Sequence, residues 1–145
     1  MNIVNIEDLR LLARKRLPKA IFEFVDGGAL DEATLRSNRA DFERVRFIPR
    51  VFTDVSQISL APTILGQPAQ LPLIMAPIGL CGMVRRKAEV IAARSAASAG
   101  MPFCLSMMAA SSIEEVCAGA AAAPRHGAAP SAPWFQLYLL RDRTM

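Results

Sequence analysis

The chain has 145 residues, of which 52% are hydrophobic and 21% charged, with a formal net charge of +4. That is the composition of a globular chain of about one domain, so intrinsic disorder and fibrous repeats are excluded. Basic residues exceed acidic ones by two in residues 1–50 and by two in the remainder, a spread that offers no basic face or stripe to nucleic acid.

Residues 5–17 place Ile6, Leu9, Ala13 and Leu17 near one helical face, with Asn5 as N-cap and Asp8 at the third position. Arg14, Lys15 and Arg16 fall in the last turn, where cations suit the helix dipole. Pro18 opens a second helix that Gly27–Gly28 stops as a C-cap signal. Asp31–Glu32 start a third helix, with Leu35, Asn38 and Phe42 on one face. The N-terminus carries Glu7 and Asp8 before any apolar run, unlike a signal peptide.

From Val51 onward short β-rich runs replace helices. Residues 58–70 read as a hairpin with its turn at Gly66-Gln67-Pro68, after an extended run at 57–60. Leu73 to Ala76 is a continuous apolar run, as expected of a strand buried on both faces. Val55 to Val84 lacks charge, but Pro62, Pro68, Pro72 and Pro77 break it well short of a spanning helix. A helix at about 86–99 ends at Gly100, and a second buried strand follows at Pro102 to Ser106. Ser112-Ile113-Glu114-Glu115 is a capping box that starts another helix. Residues 118–132 hold eight Ala with Pro124, Arg125, His126, Gly127 and Pro130, a surface-loop composition. Trp134 to Leu140 reads as a third strand, and Arg141-Asp142-Arg143 as the start of a further helix.

Strand, helix, strand, helix, strand from residue 71 implies βαβ units and a parallel sheet. Both a Rossmann-type sheet and a barrel satisfy that order. The first strand–helix turn lacks G-x-G-x-x-G, which disfavours the former. A (β/α)₈ barrel needs about 250 residues, so a barrel reading assigns this chain three of its eight strands.

Ligand sites in such sheets gather at the C-terminal strand ends. Here those ends are Ala76-Pro77-Ile78-Gly79, Ser106-Met107-Met108 and Gln136-Leu137-Tyr138. Gly79 lets backbone approach a flat ring closely. Gln136 and Tyr138, two apart on one strand, point to the same side, and buried amide and phenol groups need partners. His126, the only histidine, lies in the Ala/Pro segment and reads as a surface residue. Arg85-Arg86-Lys87 read as a solvated helix start, with phosphate binding near a barrel mouth as the alternative. No metal cluster or catalytic triad can be assembled. Cys81, Cys104 and Cys117, an odd number without C-x-x-C spacing, read as buried thiols of a reducing compartment, consistent with a cytoplasmic protein.

Leu17-Pro18-Lys19-Ala20-Ile21-Phe22-Glu23-Phe24-Val25-Asp26-Gly27-Gly28-Ala29, Asn38-Arg39, Phe47-Ile48-Pro49-Arg50-Val51, Pro72-Leu73-Ile74-Met75-Ala76-Pro77, Leu105-Ser106, Ser112 to Val116 and Trp134 to Tyr138 together resemble the FMN-dependent 2-hydroxy acid dehydrogenases and oxidases. These include glycolate oxidase, L-lactate dehydrogenase and mandelate dehydrogenase. The resemblance implies an α/β fold: an N-terminal helical extension (1–57), then a hairpin and the first three strands of a truncated (β/α)₈ TIM barrel (58–145). It implies FMN as cofactor, contacted by Ala76, Pro77, Ile78, Gly79, Ser106, Gln136 and Tyr138. Tyr138 would also reach the substrate, a small 2-hydroxy acid whose electrons pass to oxygen, a quinone or a cytochrome. Phe24 occupies a substrate-binding position where the family has a tyrosine, and Met107 and Met108 replace polar or aromatic residues. Gly79 favours a dehydrogenase over an oxidase. The family's catalytic histidine, carboxylate-gripping arginine and flavin-stabilising lysine come from later strands, so no catalytic residue is assigned in this chain. Homo-oligomeric assembly and peripheral membrane association are implied for full-length relatives. The competing readings are a non-catalytic remnant or weak interaction module, and a flavin- or phosphate-binding barrel of the isopentenyl diphosphate isomerase kind.

Overall fold

The structure is a computed structural model that describes residues 2–124 and 132–139. His126, the expected strand end at Leu140 and the helix start at Arg141–Arg143 lie outside these residues. The described residues divide into two compact units, one up to Ser56 and one from Gln57.

The first unit is helical. Its helices are α1 (Ile6–Arg16), α2 (Lys19–Asp26) and α3 (Ala33–Arg44), of which α1 alone starts on a side-chain cap. Asn5 Oδ1 accepts from the Asp8 N–H at 2.9 Å while Asp8 Oδ2 accepts from the Asn5 N–H at 3.3 Å, a reciprocal box. Pro18 is the N-cap of α2, where its missing N–H costs no helical bond. The helices are joined by charge: Arg10 pairs with Asp26 on α2 and with Glu7, and Glu7 also receives Arg39 from α3 at 3.2 Å.

Gly27 is the C-cap of α2, as its place in the sequence signals, in extended backbone with φ at −81°. Gly28 also allows a close approach, because a Cβ on it would lie 3.1 Å from Leu35 Cβ at the start of α3. The apolar faces are not buried. Ile6 and Phe42 remain 79% and 82% exposed, since three short helices have too little surface to cover one another.

The second unit begins with a hairpin, β1 (Thr63–Ile64) and β2 (Gln67–Pro68). Its turn is Leu65–Gly66, not Gly66–Pro68. Both residues have positive φ, 48° and 79°, the pattern of the tight two-residue turns that match strand twist. Residues 57–60 form no strand. The indole Nε1 of Trp134 donates to Gln67 Oε1 at 3.0 Å, and the Gln70 N–H to Gly100 C=O at 2.9 Å. These bonds seat the hairpin at the N-terminal end of the parallel strands.

Those strands are β3 (Cys104–Ser106) and β4 (Trp134–Gln136), paired in parallel with Ser106 opposite Gln136. Met75 adds a parallel bridge to Phe103 on the other side of β3. The expected strand at 73–76 is thus reduced to one bridge, with Leu73 58% and Ile74 45% exposed rather than buried on both faces. Pro72 cannot donate to a ladder, and among the described residues no strand pairs with the far edge of this segment.

Two helices, α4 (Ala88–Ser98) and α5 (Ile113–Ala121), connect the parallel segments. Ser112 and Glu115 form the expected capping box on α5. The core consists of Ala93 and Ala96 of α4, Phe103 and Leu105 of the sheet, and Val116 and Ala120 of α5. The small residues bring the helices close. A Cβ on Gly119 would lie 2.5 Å from Val90 Cγ1, so only glycine admits this contact without a shift. The second unit is therefore α/β with parallel strands.

Candidate functional site

The tips of β3 and β4 bring two predicted side chains together. Ser106, 4% exposed, donates its hydroxyl to Gln136 Oε1 at 3.2 Å and accepts from the Met108 N–H at 3.1 Å. Gln136 Oε1 also receives the Met107 N–H at 3.4 Å. The amide oxygen is thus occupied on the protein side, and among the described residues no hydrogen bond engages the Gln136 NH₂, which can donate elsewhere. A hydroxyl in the last strand position and an amide directly opposite it follow from the parallel register, which aligns these tips.

The loop 77–80 lies against the same tips. A Cβ on Gly79 would sit 3.1 Å from Met108 Cβ and 3.7 Å from Ser106 Oγ. The Leu80 N–H donates to the Met108 C=O at 2.9 Å. Ala76 and Ile78 line a small cavity of about 40 Å³ with Ser106 and Glu89. Ladder pairing stops at Gln136, so Tyr138 lies beyond the strand and is 53% exposed. Phe24 belongs to the helical unit, on α2, and is 65% exposed. Ser106, Gln136 and Gly79 are thus in one place, Ala76 and Ile78 beside them, while Phe24 stands on a separate unit.

The structure also reveals a residue that sequence reasoning missed. Glu89 is 2% exposed, with the Ala110 N–H on Oε1 and the Ser111 hydroxyl on Oε2, each at 3.0 Å. Burial raises its pKa, but donors from Ala110, Ser111 and the Gly82 and Glu89 backbone outweigh burial and hold it below the usual carboxylate range. An acid in the first turn of a helix ordinarily reads as a solvated dipole partner. The available signal was the run Ala109-Ala110-Ser111, too small to fill space without a longer neighbour. Burial pushes the nearby Cys81 thiol up, and the Glu89 charge adds to this. Burial alone does the same to Cys104. The third thiol, Cys117, is exposed rather than buried as expected, because it lies on the outer face of α5.

Lys87 pairs with Glu115, and Arg86 and Lys87 border an open cleft of about 360 Å³ with Leu80, Gly82 and Ala110. Among the described residues no group of three His, Cys, Asp or Glu side chains could hold a metal ion. None of the described helices is long and apolar enough to cross a membrane.

The model of the FMN-dependent dehydrogenases matches residues 13–145. The chain belongs to this family of FMN-dependent enzymes. It is 44% identical over 144 residues to an L-lactate dehydrogenase of Caulobacter sp. strain K31, covering 99% of this chain and 35% of that protein. It is 38% identical to a soluble mutant of the membrane-associated (S)-mandelate dehydrogenase from Pseudomonas putida, with a TM-score of 0.82 over 97% of this chain and 38% of that one. A mandelate oxidase structure matches at 36% identity and TM-score 0.83, over 97% and 38%. The chain spans about a third of the length of the curated relatives it matches.

The flavin ring of this family's cofactor needs hydrogen-bond donors for its carbonyl edge and an unobstructed surface for its face. The Gln136 NH₂ and the polar Ser106 fit the first need; at Gly79 the missing side chain makes room for Met108, so what this loop can offer a ring is its backbone.

Proposed function

We propose that this chain supplies the flavin-facing front part of an enzyme that oxidises a small L-2-hydroxy acid to the 2-oxo acid. In this reading residues 1–57 are a helical extension, and 58–145 contribute a hairpin and the first three strands of a (β/α)₈ barrel. The carrying observation is the Ser106–Gln136 pair at the aligned tips of β3 and β4, against which Gly79 packs. Lactate and mandelate, the acids in the names of the relatives, are both 2-hydroxy acids.

When bound, FMN supplies an acceptor for the two electrons removed from the substrate's hydroxyl-bearing carbon. The residues of this chain bind and orient. Backbone at Ala76-Pro77-Ile78-Gly79, Ser106 and Gln136 would hold the flavin, with Gln136 Nε2 as the donor and Ser106 fixing the Gln136 amide oxygen. Tyr138 would offer its phenol to the flavin and the substrate. Phe24 leaves the substrate carboxylate one hydrogen bond short, which favours a bulkier or more apolar acid, and Gly79 favours a dehydrogenase. By the family resemblance the base, the carboxylate-gripping arginine and the flavin-stabilising lysine come from later strands, so residues 1–145 do not turn substrate over by themselves. We place the protein in the cytoplasm; membrane association is a property of the Pseudomonas putida relative.

The test is a chimera in which residues 1–145 replace the aligned part of the Caulobacter L-lactate dehydrogenase. It is expected to purify with FMN and to oxidise lactate or mandelate, whereas residues 1–145 alone, supplied with FMN, show no turnover. A folded chimera without flavin or activity would instead favour a non-catalytic remnant or weak interaction module.

A further inference from the structure

We propose that Glu89 is a positioning residue that locks the loop after β3 onto the loop after the Met75 segment, and so sets the spacing of Gly79 from Ser106. The functional meaning of that spacing rests on the flavin reading above. Glu89 stands at the start of α4, yet each of its oxygens accepts a hydrogen bond from the other loop, at Ala110 and Ser111. The two loops touch at two further points. The Leu80 N–H reaches the Met108 C=O at 2.9 Å, and a Cβ on Gly82 would fall 2.6 Å from Ala110 Cβ, a contact only glycine permits.

The three contacts run along one seam from Gly79 to Glu89. A purely local role would require only that Glu89 satisfy its immediate donors. Its placement does more, because the 107–111 loop carries Met108, whose backbone oxygen holds Leu80 and whose Cβ abuts Gly79. Release of the loop at Ala110 and Ser111 frees it from α4 and leaves the Leu80 N–H to Met108 C=O bond to hold it against the 77–82 loop. The carboxylate suits this task because it accepts from two donors at once, and a neutral amide accepts from only one of its two ends.

The test is native-state hydrogen exchange on the 145-residue chain without flavin, comparing wild type with Glu89→Gln, Glu89→Ala and Ser111→Ala. The decisive probe is the Leu80 amide, which does not touch Glu89. The coupling predicts that it exchanges at least tenfold faster in Glu89→Ala, with a smaller increase in Glu89→Gln, where the amide oxygen still accepts from Ala110. Amides of the last turn of α4 should keep their protection. If Glu89→Ala does not fold, Glu89→Gln and Ser111→Ala carry the test with the same ordering. Leu80 exchange within twofold of wild type in these variants, with faster exchange at Ala110 alone, would overturn the proposal. Titration of wild type with FMN is read separately. Its failure would count against the flavin reading and leave the exchange result to decide the coupling.

Discussion

Gln136→Glu separates the two jobs assigned to this residue. The substitution is nearly isosteric, and one carboxylate oxygen can still accept from Ser106 Oγ and the Met107 N–H, which sit 3.2 and 3.4 Å from the present acceptor. The strand tips should therefore hold, with a stability change within about 0.5 kcal/mol, as for substitutions that leave no buried partner unpaired. The other end changes from a donor to a charged acceptor. A hydrogen bond to the flavin carbonyl edge is lost and replaced by repulsion. At roughly 1–3 kcal/mol for the lost bond and about 1.4 kcal/mol per tenfold, FMN affinity should fall by roughly 5- to 140-fold. The assay is flavin fluorescence quenching on the lactate dehydrogenase chimera, with urea unfolding of the same protein as the stability control. FMN binding as tight as wild type in a stable Gln136→Glu protein would refute the reasoning, because Nε2 would then not face the ring.

Further outcomes follow from the same geometry. Ser106→Ala removes a buried hydroxyl that serves both Gln136 and the Met108 N–H; it should cost about 1–3 kcal/mol in urea unfolding through the donor left unpaired. Gly119→Ala should gain about 1 kcal/mol of helix propensity but lose roughly 1–3 kcal/mol to the Val90 contact. Net destabilisation that Val90→Ala relieves in the double variant is expected in thermal melts. Phe24→Tyr in the chimera should raise kcat/KM for a small 2-hydroxy acid by roughly tenfold, one hydrogen bond to a charged group, measured against mandelate as the bulky reference. Because the folded pKa of Glu89 is lowered, its stabilisation is complete above the ordinary carboxylate range and lost as pH falls through the folded value. Urea midpoints should decline more steeply below pH 5 in wild type than in Glu89→Gln. Cys81 faces Glu89 with its pKa raised, so it stays a neutral thiol and does not contribute in that range.

The helix starts were legible because caps are local. Asn5/Asp8 and Ser112/Glu115 each state their function within four residues, and both boxes formed. The strand tips were legible for a similar reason: polar Ser106 and Gln136 each follow an apolar run, and parallel pairing then placed them opposite one another. What failed depended on distant partners. The 73–76 run looked two-sided because apolar residues do not reveal whether a neighbouring strand is present. Gly27 capped α2 as its sequence signal indicated, but the space that Gly28 leaves for Leu35 on the next helix was not legible. Glu89 was invisible because its donors lie 21 and 22 residues away.

The most direct test of the central claim is the flavin content of the purified chimera carrying residues 1–145 in place of the aligned part of the Caulobacter L-lactate dehydrogenase. The account predicts about one FMN per chain, retained through gel filtration and lost in the Gln136→Ala variant. A folded chimera that emerges colourless, or one whose flavin is indifferent to Gln136→Ala, would contradict it.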